Sequence, residues 1–157
     1  MNYLKSLLFL LLAPGILGGV LPLTVLQTGP QLQMGVFSYL AFPVWVVGIF
    51  VLLWCFWDFA HKGLGTPAPI DPPKNLVVSG LYRYVRNPMY VGVLIVIAGH
   101  FLWFGYWILL PYGGLFFLAT HSFVTLYEEP FLRKRFGVEY EVYLREVPRW
   151  IPRIRRV

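Results

Sequence analysis

The chain has 157 residues, 58% of them hydrophobic and only 13% charged, about half the charged share of an ordinary soluble domain. A membrane protein is expected. The formal charge of +6 suits an anionic lipid surface rather than nucleic acid, because the basic residues are confined to particular loops and the tail, and one cysteine, Cys55, excludes an internal disulfide or a cysteine-based metal cluster.

Residues 7–26 are nearly all apolar behind Lys5, and roughly 20 such residues can cross a hydrocarbon core. A cleaved signal peptide is the other reading of this stretch. Residues 27–35 carry no charge and contain Gly29, Pro30 and Gly35, so a short turn is expected. Residues 36–57 form the second span, with Trp54 and Trp57 as interfacial anchors and Asp58 at its exit. Residues 61–75, HKGLGTPAPIDPPKN, hold too much proline and glycine for a helix and suit an extended segment over the membrane surface or a pocket mouth.

The stretch from Gly80 to Gly92, GLYRYVRNPMYVG, joins arginines and aromatics to a helix start. Asn87 before Pro88 reads as an N-cap with proline at the first helical position, where its missing N–H costs nothing. Residues 88–104 are then the third span, ending in an aromatic belt around a tight reversal at Trp103 to Trp107. Residues 107–127 return as the fourth. Glu128 and Glu129 meet Pro130, which disfavours a helical Glu129 and restarts a helix. Beyond them Tyr140, Tyr143, Leu144 and Val147 make one stripe that can lie on lipid or on the hairpin of spans three and four.

The expected fold class is thus an all-α membrane protein, one domain over 1–157, with four transmembrane helices, a hairpin of spans three and four, and a C-terminal amphipathic cytosolic helix within the tail 128–157. Every lysine and arginine falls before the first span, in the 58–87 loop or after Tyr127. Four spans put all three regions, and both termini, on one side, which should be cytosolic.

On that side the hairpin brings the 80–92 motif to Glu128 and Glu129. Carboxylates for an ammonium, helix N–H groups for a carboxylate and aromatic faces for an onium suit a zwitterion with a cationic centre. S-adenosylmethionine has that character. His61, His100 and His121 lack ligand spacing and an acidic partner, so no metal is expected.

GLYRYVRNPMYVG, the Glu-Glu pair and FGVEYEVYLREVPRWIP together resemble the isoprenylcysteine carboxyl methyltransferase and phospholipid methyltransferase group, integral membrane enzymes that use S-adenosylmethionine. The resemblance covers about Lys74 to Pro152. It implies a pocket between the hairpin and the C-terminal segment, open to cytosol for the cofactor and to lipid for the substrate. Matched residue by residue, it implies cofactor contacts at Lys74, Asn75, Leu76, Val77, Tyr82, Asn87, Pro88, Met89, Tyr90 and Glu128. Two positions depart from the group: Asn87 stands where histidine is common, so any role needing an imidazole is absent. Val124 stands where the isoprenylcysteine enzymes have a substrate-holding arginine, which weakens the case for a prenylcysteine carboxylate.

The function expected is S-adenosylmethionine-dependent methyl transfer to a lipid-soluble acceptor. Methyl displacement needs an in-line acceptor held close in a dry site and no protein nucleophile. Arg86 is the candidate cation beside a carboxylate or thiolate acceptor, and Glu129 the candidate base for an amine. The alternatives are a nicotinamide-dependent sterol-type membrane reductase, which shares a similar arginine, proline and tyrosine loop, and a non-catalytic lipid-binding protein.

Overall fold

The structure, a computed structural model, describes residues 12, 14–24, 28–59, 61 and 75–152. The first expected span lies outside the described residues at 7–11, 13 and 25–26, and the 61–75 stretch, with Lys74, at all but its two end residues. What is described of the former is a π-helical segment, Ile16–Val20, running into the short helix Leu21–Thr24.

Among the described residues the fold is all helical, with no strand. A 3-10 segment, Gly35–Leu40, leads into α1, Ala41–Asp58. A 3-10 turn at Gly80–Arg83 precedes α2, Pro88–Phe104. Next come α3, Leu109–Phe123, a π-helical turn at Val124–Glu128, α4, Glu129–Phe136, and α5, Val138–Glu146. Two continuous helices, Gly35–Asp58 and Leu109–Phe136, are long and apolar enough to cross a membrane. Helix α2, at 17 residues, spans roughly 25 Å, slightly under a hydrocarbon core.

The second of these helices corrects the expected break at Glu129. Glu129 is helical, φ −62° and ψ −45°, and the helix runs through Pro130 to Phe136. Proline removes one backbone bond and crowds the carbonyl four residues back. The chain widens by one residue per turn just before it, the Glu129 N–H reaching the Val124 carbonyl, which is the geometry of a π-bulge.

Helices α1 and α2 pack at backbone distance. A Cβ on Gly48 would stand 3.1 Å from the Gly92 carbonyl and 2.8 Å from a Val96 methyl, the small-residue contact that substitutes in lipid for a hydrophobic drive between helices. Apolar side chains are also left facing outward: Val46, Val47, Phe50 and Trp57 on α1 and Leu115 and Leu118 on α3 are all more than half exposed. Inside, Val93 and Ile97 of α2 pack on Phe116 of α3. The 16–24 segment leans on the same helices, as His100 Nε2 bonds the Gly18 carbonyl at 3.0 Å and the Tyr112 hydroxyl donates to that of Leu17.

Helix α2 ends at Gly105, φ 69°, a left-handed C-cap. The turn that follows is bridged to the segment before α1, Leu32 N–H to the Gly105 carbonyl at 2.8 Å and Trp107 N–H to that of Pro30 at 3.2 Å. At the other end the loop 76–86 is fastened by Gly80. Its φ is +57°, and a Cβ there would collide with the Asp58 carboxylate. Gly80→Ala should therefore lower the thermal unfolding midpoint in detergent, by at least the ~1–2 kcal/mol of a left-handed L-residue; an unchanged midpoint would contradict this packing.

The tail stripe also settles differently from either expectation. Tyr140, Tyr143 and Val147 are buried against Leu76, Leu132 and Phe136, so α5 folds back on α4 and the loop, and the Tyr143 hydroxyl donates to the Tyr82 carbonyl at 2.8 Å.

Candidate functional site

The start of α2 is built differently from a capped helix. Asn87 occupies the cap position with φ −122° and ψ 52°, yet its side chain makes no capping bond. Its Nδ2 donates instead to the Arg149 carbonyl at 3.1 Å, while the Arg86 N–H donates to the Pro148 carbonyl at 2.9 Å. The post-α5 segment is thereby laced along residues 86–87, and the first free N–H groups of α2, past Pro88, have no side-chain cap.

The two acids have separate partners. Glu129 is buried and accepts Arg86 Nη1 at 2.8 Å on Oε1, Arg149 Nε at 2.7 Å on the same oxygen, and Arg149 Nη2 at 2.9 Å on Oε2. This fork geometry is the strongest of the charge-assisted contacts. It also holds the Arg149 guanidinium above the usual arginine range, chiefly through its bond to Glu129. Glu128 receives one long contact, from the Tyr90 hydroxyl at 3.4 Å.

The aromatic groups around the acids are neutral. Burial pushes the Tyr140 phenol up to about 12 and likewise raises those of Tyr82 and Tyr143, so they serve as donors and not as bases near neutral pH. The Trp150 indole N–H donates to His121 Nδ1 at 3.0 Å and lies among Tyr90, Phe117 and His121.

Between these elements is a cleft that is partly open to its surroundings. Its wall combines the polar groups of Tyr82, Arg86, Asn87, Tyr90, Thr120 and Glu128 with the apolar side chains of Pro14, Leu17, Phe59, Met89, Val93 and Phe116. Arg86 Nε is buried with no hydrogen-bond partner among the described residues.

Of the residues singled out in sequence, Tyr82, Arg86, Asn87, Met89, Tyr90 and Glu128 come together on this wall. Asn75, Leu76, Val77, Pro88 and Glu129 do not line it. Asn75 is exposed. Leu76 packs on the tail tyrosines, Val77 packs with Cys55, Tyr82 and Met89, and Pro88 is fully buried. Val124, 1% exposed, fills interior space and is absent from the wall.

Sequence reasoning passed over Arg149 and Trp150. The available signal was the PRWIP run, an arginine and a tryptophan between two prolines, a rigid segment unsuited to a free tail.

A family model described as phospholipid methyltransferase matches residues 36–139, more than half of the chain. The protein-S-isoprenylcysteine O-methyltransferase of Schizosaccharomyces pombe is 37% identical over 79 residues, which cover 50% of this chain and 34% of that protein. The match thus spans about a third of the length of this curated relative.

Proposed function

The chain belongs to the phospholipid methyltransferase family, and we propose that it transfers a methyl group from S-adenosylmethionine to a lipid-soluble acceptor at the cytosolic face of a membrane. The observation that carries this is a single cleft whose wall holds both Arg86 and Glu128 and, with them, the apolar Val93 and Phe116. Opposite charges suit a zwitterion, and the apolar side chains suit the acyl or prenyl part of an acceptor.

The residues present fit the donor. Glu128, whose one side-chain hydrogen bond among the described residues is the long one from Tyr90, retains acceptor capacity for an ammonium or a ribose hydroxyl. Arg86 keeps a buried N–H over, and with the uncapped start of α2 it supplies donors for a carboxylate. Tyr82 and Tyr90 offer ring faces to a sulfonium. Val77 braces this wall from behind through Tyr82 and Met89, Leu76 packs on the tail tyrosines, and Pro88 sets the first turn of α2.

When bound, S-adenosylmethionine supplies an electrophilic methyl on a cationic sulfur. The chain's own work is then to orient the two reactants and exclude water, which can supply most of the acceleration. Glu129 takes no proton in this scheme, since three guanidinium N–H groups already hold its carboxylate; it aligns Arg86. The buried Val124 supports an acceptor other than a prenylcysteine carboxylate, and the family match favours methyl transfer over the nicotinamide-dependent reduction and over passive lipid binding.

Four crossings fit the same picture, with α2 and α3 as an antiparallel hairpin and α5 in the cytosol. The bridge from Pro30 and Leu32 to Gly105 and Trp107 supports it, because it joins the two connections that carry no lysine or arginine. The test is to incubate purified protein and membrane lipid extract with methyl-labelled S-adenosylmethionine and identify labelled material by mass. Label in an extractable lipid is expected; an absence of both label transfer and calorimetric binding of the donor would overturn the assignment.

A further inference from the structure

Arg149 stands outside the cleft, and Arg86 on its wall; one carboxylate links them. Arg149 engages both oxygens of Glu129, at 2.7 Å through Nε and 2.9 Å through Nη2, and Arg86 shares Oε1 at 2.8 Å. Two guanidinium groups against one carboxylate leave a surplus of one positive charge. That surplus lies beside a cleft whose other charged wall residue is Glu128. Remove Arg149 and the Arg86–Glu129 pair becomes neutral, so its pull on an anion in the cleft falls.

We infer that Arg149 is a positioning residue for the donor site: it occupies Glu129, leaves Arg86 with uncompensated charge at the cleft wall, and so sets the affinity for the donor's carboxylate. The inference rests on the methyl-donor assignment above. Its geometry is independently fixed, because the Arg149 carbonyl accepts Asn87 Nδ2 and the preceding Pro148 carbonyl accepts the Arg86 N–H. The same two residues that line the cleft therefore hold the segment that carries Arg149.

A structural strut and a charge donor predict different ligand dependence. The test measures binding of S-adenosylhomocysteine, which has the amino-acid carboxylate, and of methylthioadenosine, which lacks it, to the full chain in detergent. For Arg149→Gln, which can still hydrogen-bond Glu129, the Kd for S-adenosylhomocysteine should rise about tenfold, the order expected for losing one unit of positive charge near the ligand carboxylate, while that for methylthioadenosine stays as in the wild type. Arg149→Lys, which restores the charge, should restore the ratio between the two ligands. Equal weakening of both ligands, or no change in either, would overturn the inference. Should Arg149→Gln not fold, Arg149→Met combined with Glu129→Gln serves instead. With the acid neutral, Arg86 has no counter-charge to be relieved of, so adding Arg149→Met to Glu129→Gln should leave the ratio of the two affinities unchanged; a further loss for S-adenosylhomocysteine alone would overturn the idea. A wild-type protein that binds neither ligand would instead refute the donor assignment itself.

Discussion

Glu129→Ala is expected to destabilise the folded protein by about 3–5 kcal/mol, the range seen when one partner of a buried ion pair is removed. The Arg86 and Glu129 side chains are 12% and 9% exposed, so Arg86 would be left with a guanidinium deprived of both water and its counter-charge. Arg149, at 32%, can recover some hydration, and its share of the loss is smaller. The effect should appear as a lowered thermal midpoint in detergent and as earlier proteolysis after α5, since the Arg149 fork is one of the contacts that hold the following segment. Glu129→Gln, which keeps size and some hydrogen bonding, should lose less. A midpoint equal to the wild type in the alanine variant would show that the three-way contact does not hold the fold.

Glu128→Gln should do the opposite. Its carboxylate faces the cleft with one 3.4 Å contact, so replacing it disturbs little internal bonding and the midpoint should hardly move. Donor affinity should instead fall roughly 30- to 150-fold, corresponding to ~2–3 kcal/mol for a hydrogen bond to a charged group. Isothermal titration with S-adenosylhomocysteine and a labelled-methyl assay would both read it. Unaltered binding with full turnover would remove Glu128 from the donor site. Two adjacent acids thus divide between stability and affinity, and the pair of variants separates the roles in one set of measurements.

The parts of this architecture that were legible in the sequence rest on local chemistry. Pro88 and Gly105 mark the two ends of α2 because proline has no N–H to waste at a helix start and glycine alone enters the left-handed region freely. The juxtaposition of the 80–92 motif with the acidic pair followed from a short turn between two apolar stretches. What could not be read depends on where distant chain passes. Asn87 looks like a cap until a carbonyl 62 residues later takes its amide, and Glu129 looks like a free base until Arg149 arrives. Pro130 looks like a break because its own rule is local, whereas the continuous helix absorbs it by a π turn one step earlier. The identity of adjacent acids was visible; which one faces the cleft was fixed by that extra residue in the turn.

The lacing of residues 86–87 to 148–149 also dictates an order of events during synthesis. The start of α2 leaves the ribosome some sixty residues before its partner carbonyls exist, and Glu129 is made before Arg149. Until translation reaches Trp150, Arg86 and Glu129 have only each other and the Asn87 amide has no acceptor in the tail. The helices can insert and pair in that interval, but the wall that Arg86 and Asn87 contribute to the cleft can be fastened only after the last turn of α5 has emerged, so the site is completed late and from its C-terminal side.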